Sequence, residues 1–220
     1  MQDETSIVLT ELELDALTEL VNLGVSSAAF SLREMVREEV TLSVPRVQIV
    51  TRDEAVANLG GGESRRLVGV RQDFEGEMNG RALLIFPEDR SIELVRAIVG
   101  GALSIQEIVE LEHEALAETG NVLLNGCLST LANYLGQSLH VSLPEVIHGE
   151  GFQFFDATQE SNSGDRVLLT YINFTIRHRD IQGHIAMLLD MPSLAILKRL
   201  VGEFIDRTAG VATSASSHTS

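Results

Sequence analysis

Leu12-Glu13-Leu14-Asp15-Ala16-Leu17-Thr18-Glu19-Leu20-Val21-Asn22 is followed, after 22 residues, by Pro45. Leu111-Glu112-His113-Glu114-Ala115-Leu116-Ala117-Glu118-Thr119-Gly120-Asn121 is followed, after the same 22, by Pro144. An acidic residue, a glutamate, an asparagine and a proline thus recur at a constant offset of 99 residues, the mark of a duplicated half-domain. On a helix the first three positions fall at i, i+4 and i+7 and form one stripe. Leu17, Val21, Gly24 and Ala28 occupy the opposite face, as do Leu116, Gly120, Leu123 and Cys127 in the second copy. Each copy therefore predicts a helix with its back in a core and a Glu–Asn ridge facing water.

Working outward, Thr10-Glu11-Leu12-Glu13 has the form of a capping box, so the first helix should begin near Glu11 and run to about Glu38. Val40–Thr51 reads as a strand carrying Pro45, which cannot donate to a sheet ladder and belongs at an edge or bulge. Asp53–Leu59 suggests a short helix ended by Gly60-Gly61-Gly62; no Lys-Ser/Thr follows those glycines, so they read as a loop and not a phosphate cradle. Leu67–Phe74 and Met78–Phe86 predict antiparallel strands turning near Glu75-Gly76. A helix follows from Pro87 to Val99, stopped by Gly100-Gly101. The order then repeats: a helix from near Glu107 to Leu135, a strand Leu139–Val146 carrying Pro144, a loop or irregular hairpin over Gly149–Gly164, strands Val167–Arg177 and Gly183–Leu189, and a helix Pro192–Asp206. Gly80–Pro87 resembles Gly183–Leu189, so the repeat extends beyond the motifs. The expectation is an α+β, internally duplicated pseudo-two-fold domain over residues 1–207, with half-repeats at 10–100 and 104–207. It has a mixed or antiparallel sheet covered by helices, and two motif helices exposed on its surface. Residues 208–220, small and polar, read as a disordered tail.

Composition narrows the function. The chain has 220 residues, 44% of them hydrophobic, and a formal net charge of −16, which leaves no basic stripe for nucleic acid. Lys198 is its only lysine. Many carboxylates with almost no lysine suit concentrated salt, where self-repulsion is screened within about 3 Å at 1 M, so the composition reads either as a halophilic source or as an ordinary acidic cytosolic protein. No run of eighteen apolar residues exists and Asp3-Glu4 is unlike the basic start of a signal peptide, which reads as a cytoplasmic chain. Cys127 is the sole cysteine and a small apolar filler on its helix. The six histidines show no metal-ligand spacing, so no metal or cofactor of its own is expected. No Gly-x-Ser-x-Gly elbow supports a serine hydrolase.

The paired Asp/Glu-x3-Glu-x2-Asn-x22-Pro pattern resembles the signature of the CheC-type chemotaxis phosphatases, the CheC/CheX/FliY family, over roughly residues 8–207. Glu114 departs from it, standing where that family usually carries Asp or Ser. The resemblance implies hydrolysis of the aspartyl phosphate of a CheY-like response regulator. Glu19 and Glu118 would anchor to the regulator's lysine, and Asn22 and Asn121 would orient the attacking water. Asp15 and Glu114 would support docking, and the Mg²⁺ would sit on the regulator. Such chemistry asks mainly for positioning, because phosphoryl transfer is dominated by in-line geometry and charge stabilisation. Alone, a Glu and an Asn one turn apart would ordinarily be a solvated face; their duplication at fixed spacing favours function. The alternative is a non-enzymatic adaptor of the same fold, binding a response regulator or a CheD-type deamidase. Internal duplication suits a monomer.

Overall fold

In a computed structural model the chain is described at residues 7–36, 39–43, 47–59, 66–100, 104–155, 166–176 and 179–216. Both motif stretches form long helices, α1 (Glu11–Val36) and α4 (Ile105–Leu135). The expected capping box starts α1: the Thr10 N–H donates to Glu13 Oε2 at 2.6 Å, and the Glu13 N–H to Thr10 Oγ1 at 3.3 Å. The same device starts α4 two residues before the predicted start, with Ser104 as cap and Glu107 as its partner. Accepting the Ser104 backbone N–H holds the Glu107 carboxyl below its ordinary range. Gly136, at φ 69° in the left-handed region, ends α4 as predicted.

The remaining elements are β1 (Val40–Ser43), β2 (Val47–Val50), α2 (Arg52–Asn58), β3 (Leu67–Gly76), β4 (Gly80–Pro87) and α3 (Glu88–Val99) in the first half. The second half adds β5 (Leu139–Val141), β6 (Glu145–Gly149), α5 (Gly151–Phe155), β7 (Arg166–Ile176), β8 (Arg179–Leu189) and α6 (Met191–Ser216). Every strand pairing is antiparallel, in the order β1/β2–β7–β8–β4–β3–β5/β6. The halves are interleaved. β1 and β2 of the first half pair with β7 of the second, while β5 and β6 pair with β3. At the centre β4 meets β8 with Arg81 opposite Leu188 and Ile85 opposite His184. The repeat exchanges these two pairs, so the seam is self-complementary like a two-fold interface within one chain. Each half thus finishes its sheet with the other's short strands and leaves fewer open edges.

Several expectations are corrected. The strand predicted over Leu139–Val146 is two pieces, with Ser142-Leu143-Pro144 between them, because a proline offers no N–H to the ladder. The strand predicted over Val40–Thr51 is likewise described as two pieces, and Pro45 lies outside the described residues. β3 runs on through Glu75-Gly76, so the turn falls at residues 77–79, where the Gly76 N–H donates to Asn79 Oδ1. The Gly149–Gly164 loop contains α5, held down by the fully buried Phe154 and Phe155. β8 starts earlier than predicted, at Arg179, and α6 continues past Asp206 through Thr208 to Ser216 where a disordered tail was expected; extending an existing helix needs no new nucleus. Gly60–Gly62 and residues 217–220 lie outside the described residues.

One face of the sheet carries α1, α3, α4 and α6 over the larger core; the other carries α2 and α5 over a smaller one built on Ala55, Leu83, Ile85 and Phe154. The expected backs of the motif helices are in the larger core: Leu17, Val21, Ala28, Leu116, Leu123 and Cys127 are all buried. Burial pushes the Cys127 thiol up to about 12, which fits an inert filler.

Candidate functional site

α1 and α4 lie against one another because small residues stand where they cross. A Cβ on Gly24 would sit 2.8 Å from the Cys127 Cα, and one on Gly126 would sit 2.8 Å from the Ala28 Cβ. Gly120 does the same between α4 and the sheet, where a Cβ would lie 2.4 Å from both Cβ and Cγ1 of Val70. The two helices are thereby seated side by side with their ridges outward. Asp15, Glu19, Glu114 and Glu118 are exposed, and Asn22 and Asn121 are half-buried at the foot of each ridge. None of the four carboxylates forms an ion pair among the described residues, so each is available to a cationic partner.

The asparagines differ. Asn22 makes no side-chain hydrogen bond among the described residues, whereas Asn121 is held from two sides. Gln72 Nε2, from the buried face of β3, donates to Asn121 Oδ1 at 3.2 Å and to the Ser142 carbonyl at 3.0 Å. Asn125, one turn along α4, donates from Nδ2 to the same Oδ1 at 2.7 Å. The Ser142 carbonyl can only accept, which fixes the Gln72 amide with its NH₂ toward Asn121. Asn121 Oδ1 then has both lone pairs engaged, and its Nδ2 makes no hydrogen bond among the described residues.

Ser142 is in place to do this because the strand breaks before Pro144. Its N–H donates to the Asp73 carbonyl, and its hydroxyl accepts the Asp73 N–H at 2.9 Å, leaving its carbonyl for Gln72. The motif proline, remote in sequence from the asparagine, is therefore joined to it by three hydrogen-bonded groups. Gln72 itself is 1% exposed, and its Oε1 is buried without a partner, an arrangement that costs about 1–3 kcal/mol. Sequence reading passed over Gln72 and Ser142. The signal for Gln72 is an amide on the apolar stripe Val68, Val70, Phe74 of its strand.

Beside Asn121 a groove of about 730 Å³ runs between α1, α4 and β5, bordered by Ser27, Ser31, Asn125, Ser129, Asn133 and Gln137 among others, with no charged side chain in its lining. That uncharged lining contrasts with the carboxylates of the ridges and with the net charge of −16. Among the described residues no group of three His, Cys, Asp or Glu is placed to hold a metal ion, and no helix is long and apolar enough to cross a membrane.

No family profile matches the chain. Individual proteins do. It is 26% identical over 141 residues to a Bacillus subtilis protein named CheY-P phosphatase CheC, covering 63% of this chain and 67% of that one. It is 24% identical over 139 residues to a CheC-named protein of Halobacterium salinarum, covering 63% and 70%. The crystal structure of Thermotoga maritima FliY superposes with a TM-score of 0.70 at 18% identity, over 90% of this chain and 100% of that one, and shares the fold. With the duplicated Glu–Asn ridges already in place, these likenesses make the chain similar to the CheC/FliY-type chemotaxis phosphatases in sequence and in fold.

Proposed function

We propose that the protein hydrolyses the aspartyl phosphate of a CheY-like response regulator and so terminates its signal. The observation that carries this reading is the pair of outward Glu–Asn ridges on adjoining helices, in a chain similar to proteins named for that activity. Glu19 and Glu118 dock by pairing with a lysine of the regulator, with Asp15 and Glu114 one turn earlier on each ridge assisting. Asn22 and Asn121 enter the phospho-aspartate pocket and hold a water in line with the scissile P–O bond. Water attacks phosphorus, the aspartyl oxygen leaves with the bonding pair, and inorganic phosphate and the free carboxylate result. The regulator contributes the Mg²⁺ that neutralises the phosphoryl oxygens; this chain contributes orientation, worth far more than its few groups suggest. Half-buried carboxamides serve because the task asks for hydrogen bonds held in place, not for proton transfer.

The reading extends to a monomer working in the cytoplasm, in concentrated salt. The self-complementary seam inside one chain supports the first, and the net charge of −16 with a single lysine supports the last. A CheD-type partner is compatible with the fold, but no particular surface favours it. Kinetics separate the roles: Glu19→Gln/Glu118→Gln should raise KM for the phosphorylated regulator, while Asn22→Ala/Asn121→Ala should lower kcat. The reverse pattern would contradict the assignment.

A further inference from the structure

Under the repeat, the long strands β3 and β7 correspond, each pairing with the short strands of the other half. Phe74 lies opposite Val141 and Phe174 opposite Leu42; Val70 lies opposite Val146 and Thr170 opposite Val47. Gln72 and Ile172 therefore occupy matching places, both fully buried. Asn125 likewise matches Ser26, which is exposed. The second ridge has an amide beneath its asparagine and another beside it; the first has an isoleucine and a serine. At the matching place an aliphatic side chain satisfies the fold, so Gln72 bears an unpaired buried oxygen that packing does not require.

Resting on the phosphatase reading, we propose that Gln72 is a positioning residue of the second site, clamping Asn121 together with Asn125 so that the two sites are unequal. The clamp runs Ser142 carbonyl, Gln72 NH₂, Asn121 Oδ1, Asn125 NH₂. It engages Asn121 Oδ1 twice and presents Nδ2–H to the reacting groups, where it donates to the water oxygen or to a phosphoryl oxygen. The second site is pre-organised, giving it the higher kcat per site. Asn22 retains its rotamers, and the first site bears the cost of ordering it in each complex.

The test uses Gln72→Leu in two backgrounds, because the matching Ile172 shows that an aliphatic residue fits this place. With Asn22→Ala, only the second site works; adding Gln72→Leu should lower kcat by about tenfold and leave KM within about twofold, below the roughly hundredfold that a 1 Å misplacement can cost. With Asn121→Ala, only the first site works, and adding Gln72→Leu should change nothing. An equal fall in both backgrounds would make Gln72 structural and overturn the proposal, as would no fall in either. An independent readout needs no substrate: by side-chain ¹⁵N relaxation the Asn121 amide should be more rigid than that of Asn22, and Gln72→Leu should abolish the difference. Equal mobility in the unmodified protein overturns the clamp whatever the activity. A rigid Asn121 in a protein that never accelerates dephosphorylation upholds the clamp and refutes the phosphatase reading.

Discussion

Gly120→Ala sets two opposing effects against each other at the residue preceding Asn121. Alanine is favoured over glycine in a helix interior by about 1 kcal/mol. The added methyl, however, would stand 2.4 Å from the Cβ and Cγ1 of Val70, where contact is normally about 3.5–4.0 Å. The Val70 Cβ is fixed by the backbone of β3, which is paired on both sides, so α4 must retreat by about 1 Å. Overpacking of this kind costs about 1–3 kcal/mol. Steric cost wins, leaving a net loss of up to about 2 kcal/mol, or up to about 8 °C in Tm for a chain of this size. The same retreat lengthens the 3.2 Å bond from Gln72 to Asn121, so activity of the second site should fall with stability while the first site keeps its rate. Thermal unfolding of Gly120→Ala beside Gly202→Ala checks this, since a Cβ on Gly202 meets nothing within 4 Å and that variant should gain about 0.5–1 kcal/mol. A Gly120→Ala protein as stable as Gly202→Ala would refute the close seating of α4 on β3.

Burial lowers the His184 imidazole to about 4 from its ordinary 6.5, with Tyr171 packed edge-on at 4.5 Å. The unfolded chain then binds the extra proton first, so His184 leaves stability intact above pH 6.5 and removes it progressively as pH falls toward 4, by up to about 3 kcal/mol. His184→Gln should flatten the pH dependence of the urea midpoint across that window, and an unchanged slope would refute the assignment. If the surface is built for concentrated salt, the unfolding midpoint should climb steeply from 0.1 to about 3 M KCl, well beyond the point where the Debye length has shrunk to about 3 Å; a midpoint flat with salt would count against a halophilic chain.

Local chemistry made the helices legible. The 3.6-residue stripe and Thr10–Glu13 located α1, and Gly136 located the end of α4. Short elements escaped where tertiary packing decides them: α5 exists because Phe154 and Phe155 reach the smaller core, which a five-residue segment cannot announce. The interleaving of β1/β2 with β7 and of β5/β6 with β3 joins residues far apart in the chain, and no periodicity encodes it. The ridges of the site were visible as spacing. What holds Asn121 was not, because Gln72 and Ser142 meet it only once the sheet has formed. The motif proline was legible as a constraint on the ladder, and its connection to the asparagine emerged from the broken strand it leaves.

The central claim is that Asn22 and Asn121 supply the orientation on which dephosphorylation depends. Its most direct test is the decay of a phosphorylated CheY-like regulator in Mg²⁺, followed with the unmodified protein and with Asn22→Ala/Asn121→Ala, alongside binding of both to the same regulator. The prediction is accelerated decay that returns to the intrinsic rate in the double variant while binding persists. Undiminished acceleration in the double variant would contradict the role of the asparagines, and binding without acceleration by the unmodified protein would make it an adaptor.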